Sequence, residues 1–168
     1  TKNGEVEEEI VDGLACYSAV PFGHRDPVLV EGVNQFVKQM ATIPRSISHS
    51  YLGPWLVKLK EFTQMDMFLP KNGGTEANEA AIKIIKKWGK NYGGKEGKGI
   101  KGIPVIISAQ NAFHGRGMGS TALMDDPASR KDLEPLMAGV EHVPFNNIRA
   151  LEDKFKELNG NVAGVFLE

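Results

Sequence analysis

The stretch Leu69-Pro70-Lys71-Asn72-Gly73-Gly74-Thr75-Glu76-Ala77-Asn78-Glu79 decides how this chain is read. Just before it, Met67, Phe68 and Leu69 make a short apolar run that Pro70 ends, the pattern of a buried strand. Beyond it, Ala77, Ala80, Ala81, Ile84, Ile85 and Trp88 recur at helical spacing, with Lys83, Lys86 and Lys87 between them. Gly73 and Gly74 lack a Cβ, so their amides can approach a ligand closely. Thr75 adds a hydroxyl, and the helix start presents unpaired N–H groups at the positive end of its dipole. A turn of this make-up seats a phosphate. It serves equally as a plain glycine turn with a threonine cap, and the local pattern allows both.

Working outward, 168 residues suffice for one ordinary domain with a real core, and a formal net charge of −1 suits a globular protein. The lysines are spread along helix faces rather than clustered, which argues against nucleic acid as a partner. No apolar run approaches the length of a membrane span, and the acidic start from Thr1 to Glu9 is no signal peptide. The single Cys16 excludes an internal disulfide framework. Beside Leu14, Ala15 and Tyr17 it reads as a buried, inert thiol. His24, His49, His114 and His142 are scattered, without metal-ligand spacing.

Asp26 before Pro27 predicts a capped helix carrying Val30, Val33, Val37 and Met40. A second helix is expected around Trp55, Leu56, Leu59 and Phe62, and Tyr92 to Gly102 reads as a glycine- and lysine-rich loop. Val105-Ile106-Ile107, Glu141 to Phe145 and Val162 to Leu167 read as strands, with Asn146 or Asn147 capping a helix between the last two. Strands alternating with helices from residue 67 onward predict an α/β fold, a mostly parallel sheet with flanking helices. An N-terminal segment, residues 1–50, precedes it, and residues 51–168 form the first part of a large domain. The chain stops at Glu168 directly after an apolar strand, as a sequence cut in mid-domain would.

Ligands of such sheets sit beyond the carboxyl ends of the strands. The segment Ser108-Ala109-Gln110-Asn111-Ala112-Phe113-His114-Gly115-Arg116-Gly117 should emerge at that edge. Phe113 and His114 offer flat faces for a planar ring, and Arg116, between two glycines, can grip a carboxylate with its planar fork. A surface arginine and a core aromatic would look the same in isolation. Beside a phosphate seat, stacking of a phosphate-bearing ring cofactor is the better account.

Three motifs carry a resemblance: Asn72 to Glu79, then Phe113-His114-Gly115-Arg116, then Phe166-Leu167-Glu168. In order and type they resemble the class III (subgroup II) aminotransferases, which use pyridoxal 5'-phosphate. Tyr17-Ser18-Ala19-Val20 with Gly23-His24 and Pro27 is most similar to the ornithine aminotransferase branch. The likeness runs from about Glu9 to Glu168.

The resemblance implies the large domain of a fold-type I pyridoxal-phosphate-dependent transferase. Gly73, Gly74 and Thr75 would hold the cofactor phosphate, Phe113 would stack on its ring with His114 beside it, and Glu168 would lie near the cofactor. Arg116 would hold a substrate carboxylate, and Tyr17 would meet the substrate's α-amino end. The complete enzyme would move the δ- or ω-amino group of ornithine, or of a similar amino acid, to 2-oxoglutarate. It would work as a homodimer, in a cytoplasm or a mitochondrial matrix, without nucleic acid or membrane. Gly73 stands where many relatives have Ser or Thr. Ile47-Ser48 stands where the ornithine branch has an aromatic pair, which keeps acetylornithine and 4-aminobutyrate open as donors.

Transamination also needs a lysine to hold the coenzyme and move the proton, and a carboxylate against the ring nitrogen. In the family both come from beyond the residue that matches Glu168. Lys71, Lys83, Lys86, Lys87, Lys95, Lys98 and Lys101 sit on a polar helix face or in loops, without the desolvated setting such a lysine requires. The chain by itself is therefore expected to hold no catalytic residue and to be inactive, as an N-terminal portion. A truncated homologue pairing with a full-length subunit is the alternative.

Overall fold

The computed structural model describes residues 3–5, 8–40, 42–44 and 46–168. Thr1, Lys2, Val6 and Glu7 of the acidic start, and Arg45 within the 43–49 segment, lie outside the described residues. The chain divides into two compact units, Thr1–Met67 and Phe68–Glu168.

In the first unit, α1 (Ala15–Ser18) is a single turn whose four residues all have positive φ, from 51° to 68°. Helix α2 (Pro27–Gln39) starts as the sequence predicts, with the Asp26 carboxylate accepting from Val28 N and Leu29 N, each at 3.0 Å. Helix α3 (Leu52–Thr63) ends at Gln64 in the left-handed conformation. Phe36 of α2 meets Tyr51 edge-on, ring centroids 5.3 Å apart, and the Tyr51 hydroxyl donates to Gln39 Oε1 at 2.8 Å. Cys16 departs from expectation: it is exposed. Leu14 and Tyr17 are themselves exposed, so its own neighbours put no lid over the thiol.

The second unit runs α4 (Gly74–Tyr92), β1 (Val105–Ala109), α5 (Met118–Leu123), α6 (Pro127–Arg130), β2 (Val140–Val143), α7 (Ile148–Leu158) and β3 (Val162–Phe166). The strands form one sheet in the order β2-β1-β3, with both pairs parallel. Central β1 is sealed, Ile106 and Ile107 having no exposed surface, as a strand covered on both faces requires. Leu123 and Ile82 pack with Ile106 at the heart of this core.

Two expectations need correction. Met67-Phe68-Leu69 is not a strand, and Met67 is almost fully exposed. The described sheet pairs β1 with β2 and with β3, which leaves the run no hydrogen-bonding neighbour. The helical stripe is also rotated: Ile84 and Trp88 are half-exposed, whereas Ile82 and Gly89 are buried, with Asn78 and Ile85 partly so. These four recur at spacings of four, three and four, which makes one inward line.

That line lets α4 lie very close to the sheet. A Cβ built on Gly89 would come within 2.7 Å of the Ala163 Cβ and 2.9 Å of the Pro104 Cβ. One built on Gly164 of β3 would come within 2.9 Å of the Ile85 side chain. Gly→Ala inside a helix ordinarily gains about 1 kcal/mol of propensity, while overpacking a rigid contact costs about 1–3 kcal/mol. Ala163 and Pro104 have no flexible end to move aside, so the clash should win. Gly89→Ala is expected to lower the melting temperature, and a rise would show that α4 stands off from the sheet.

Candidate active site

At the start of α4, Gly73 is the N-cap, in extended backbone and with no side-chain cap. The first intrahelical bond runs from Ala77 N to Gly73 O at 3.0 Å, and Glu76 turns its carboxylate back to Asn72 N at 3.1 Å. The amides of Gly74, Thr75 and Glu76 are left without a protein acceptor among the described residues. A Cβ on Gly73 or Gly74 would meet nothing within 4 Å. Bare amides at a positive helix end, with open space before them, suit a phosphate group.

The loop after β1 leaves the carboxyl edge of the sheet and is tied to α4 at several points. Asn78 Nδ2 donates to the His114 carbonyl at 2.8 Å. Gly115, at φ +111°, lies so close to Thr75 that no Cβ fits between them. Glu79 Oε1 accepts from Ser120 N at 2.8 Å and from the Ser120 hydroxyl at 3.2 Å. From the far side, Glu168, just past β3, accepts from Phe113 N at 2.9 Å.

The loop's side chains divide by environment. The His114 ring is enclosed, with only 3% of the residue exposed, its Nε2 3.1 Å from the Ser108 hydroxyl and its face edge-on to Phe166 at 5.3 Å. Phe113, by contrast, is 56% exposed. Arg116 is exposed, and among the described residues no carboxylate pairs with it. An apolar plate, an unpaired guanidinium and an amide-lined helix start thus belong to one bonded assembly at the carboxyl edge. Such an assembly can hold an anionic group, cover a flat ring and grip a carboxylate.

Tyr17 belongs to the first unit, in the left-handed turn of α1, and is 83% exposed. Asn78, Glu79, Ser108 and Ser120 were absent from the sequence-derived site. Asn78 had left a signal, because a polar residue falls on the inward line with Ile82, Ile85 and Gly89. Lys86 also differs from expectation, being partly buried with its amine pushed below the usual lysine range by desolvation. Its Nζ donates to the carbonyls of Pro104 and Ala138, both at 2.7 Å, and of Gly139 at 3.3 Å. Pro104 and Gly139 precede β1 and β2, so this amine works at the amino edge, the opposite end of the strands. Among the described residues no cluster of His, Cys, Asp or Glu could hold a metal ion, and no helix is long and apolar enough to cross a membrane.

Comparison with known proteins gives a consistent picture. A model of the class-III aminotransferase family matches residues 3–168. An ornithine aminotransferase of Oceanobacillus iheyensis is 33% identical over 162 residues, covering 94% of this chain and 38% of that protein. The chain therefore spans about two-fifths of the length of such relatives. The crystal structure of ornithine aminotransferase from Toxoplasma gondii matches with a TM-score of 0.82 and 26% identity, over 92% of this chain and 35% of that one. A second structure of that enzyme shows pyridoxal phosphate at partial occupancy in its active site. Acetylornithine aminotransferase from Elizabethkingia anophelis matches with a TM-score of 0.67 and 28% identity, over 92% of this chain and 33% of that one.

The enclosed His114 gives the assembly a pH signature. Burial pushes its pKa below the usual 6.5, the Glu168 carboxylate pulls it back up, and His142 lowers it further. Because the folded pKa is the lower one, the unfolded chain takes up the proton first as the pH falls. Stability from the neutral ring is complete above pH 6.5 and drains away below it, toward the folded pKa. Melting temperature measured against pH should fall below 6.5, and His114→Gln should flatten that part of the curve. An unchanged slope would mean that the ring is not sealed.

Proposed function

Because this chain belongs to the class-III aminotransferases, we propose that it forms part of a pyridoxal 5'-phosphate-dependent enzyme. That enzyme moves the δ- or ω-amino group of ornithine, or of a similar amino acid, to 2-oxoglutarate. When bound, the coenzyme supplies the electron sink that makes the donor carbon acidic. The residues of this chain bind and orient. Gly73, Gly74 and Thr75, with the amides of the α4 start, hold the phosphate. Phe113 covers the ring, with His114 close beside it. Arg116 grips a substrate carboxylate, Glu168 holds the Phe113 amide, and Tyr17 meets the amino end of the substrate.

The observation that carries this reading is the joining of the amide-lined start of α4 to the Phe113–Arg116 loop, through the Asn78 bond to His114 and the close packing of Gly115 on Thr75. The donor assignment is supported by the ornithine aminotransferase relatives. Acetylornithine is the second reading, favoured by the Elizabethkingia anophelis relative and by Ile47-Ser48. The lysine that holds the coenzyme lies outside these residues: Lys71, Lys83 and Lys87 are exposed, and Lys86 is spent on three carbonyls at the wrong edge. The complete enzyme is a homodimer, and residues 1–50 serve the substrate side and the subunit contact. The exposed stripe Val30, Val33 and Val37 of α2 supports that part of the reading.

The test is to titrate the full-length protein with pyridoxal phosphate and to assay it with ornithine, acetylornithine and 4-aminobutyrate against 2-oxoglutarate. Ornithine should be turned over fastest. Arg116→Ala should raise the KM for 2-oxoglutarate about 10- to 100-fold, the worth of a lost charge-assisted hydrogen-bond pair. A protein with no spectral change on adding coenzyme would overturn the proposal, and an unmoved KM would remove Arg116 from it.

A further inference from the structure

Asn78 and Glu79 are consecutive residues of α4 that no motif reading assigned to the site, and both spend their side chains on the loop after β1. Asn78 Nδ2 holds the His114 carbonyl at 2.8 Å. Glu79 Oε1 holds the Ser120 amide at 2.8 Å and its hydroxyl at 3.2 Å. The two anchors bracket Gly115, Arg116 and Gly117. Glu79 also reaches its place only because Gly117 and Gly119 carry no side chain: a Cβ on either would collide with its carboxylate. On the loop's inner side, Ser120 Oγ accepts from Gly117 N at 3.0 Å, so the Glu79 anchor is passed on to the residue after Arg116.

These bonds set a distance. The same helix that presents Gly74 and Thr75 fixes, one turn later, the backbone on which Phe113 and Arg116 stand. The phosphate seat and the ring-covering loop cannot move apart without breaking the Asn78 bond, nor can the backbone that follows Arg116 move outward without breaking the Glu79–Ser120 bonds. We propose that Asn78 and Glu79 are positioning residues for the coenzyme and substrate sites. Asn78 sets the spacing between the phosphate seat and the Phe113 plate, and Glu79 sets the reach of Arg116. This rests on the coenzyme reading above and adds to it two residues that touch neither coenzyme nor substrate.

The test uses the full-length protein, with pyridoxal phosphate and inorganic phosphate as separate probes. Asn78→Asp keeps the side chain's shape but replaces the donor by a carboxylate oxygen facing a carbonyl. It should weaken pyridoxal phosphate binding about tenfold, while competition by inorganic phosphate stays within about twofold, because only the ring contact is displaced. The induced circular dichroism of the bound coenzyme should change with it. Glu79→Leu should raise the KM for 2-oxoglutarate at least about fivefold with coenzyme affinity nearly kept, and Glu79→Gln, which retains an acceptor for Ser120 N, should restore it.

A role confined to general stability predicts something else: both probes weakening together, with no change in the dichroism and no rescue by Gln. That result, or variants indistinguishable from wild type, would overturn the proposal while leaving the coenzyme reading standing. Wild-type protein that binds no coenzyme would overturn both.

Discussion

The close seating of α4 on the sheet is the constraint from which the rest follows. Bare positions at Gly89 and Gly164, with the small Ala163, leave no room for even one added carbon between helix and sheet. Lys86 then closes the amino edge by donating to the carbonyls of Pro104, Ala138 and Gly139. With the helix fixed at its lower half, its first two turns reach the carboxyl edge at a set height. There Asn78 and Glu79 meet the loop that leaves β1. A tightly packed layer thus becomes a ruler for the site above it.

The loop itself is built from contrasts of environment. His114 is pulled inward by Ser108 and Phe166, and this commits the next side chain on either hand. Phe113 remains outside as a flat surface, and Arg116 remains outside as a free charge. A buried polar ring needs its hydrogen bond, and Ser108 at the centre of the sheet provides it. The register places His142 and Phe166 on either side of Ser108, so the pocket around the imidazole is made by three adjacent strands. The resemblance supplied the roles for Phe113 and Arg116; burial explains why those two side chains, and not that of His114, face outward.

Much of the fold was legible because local chemistry and tertiary demand agreed. Asp26 before Pro27, Asn147 before Ile148 and the unbroken run Val105-Ile106-Ile107 each carried their own signal, and each formed the expected element. The failures came where a neighbour decides. Met67-Phe68-Leu69 had the composition of a strand but lacked a partner edge. The inward line of α4 is rotated from the apolar stripe, sharing Ile85 with it, because alanines and lysines do not fix a face, whereas glycines at a close contact do. Of the candidate site, the glycine turn and the Phe-His-Gly-Arg motif stood out in the sequence. The Asn78 and Glu79 bonds span 36 and 41 residues of sequence, and no local pattern encodes such pairings.

Gly115, Gly117 and Gly119 have a consequence for how this stretch tolerates genetic change. Every single-nucleotide missense change in a glycine codon introduces a β-carbon, and at these three positions that atom collides with Thr75 or with the Glu79 carboxylate. At Gly115 the backbone angle compounds the problem. Sampling natural or laboratory variants should therefore find these three glycines almost silent at the protein level, while the exposed Met118 among them accepts substitutions. Three missing methyl groups leave these positions no room for change.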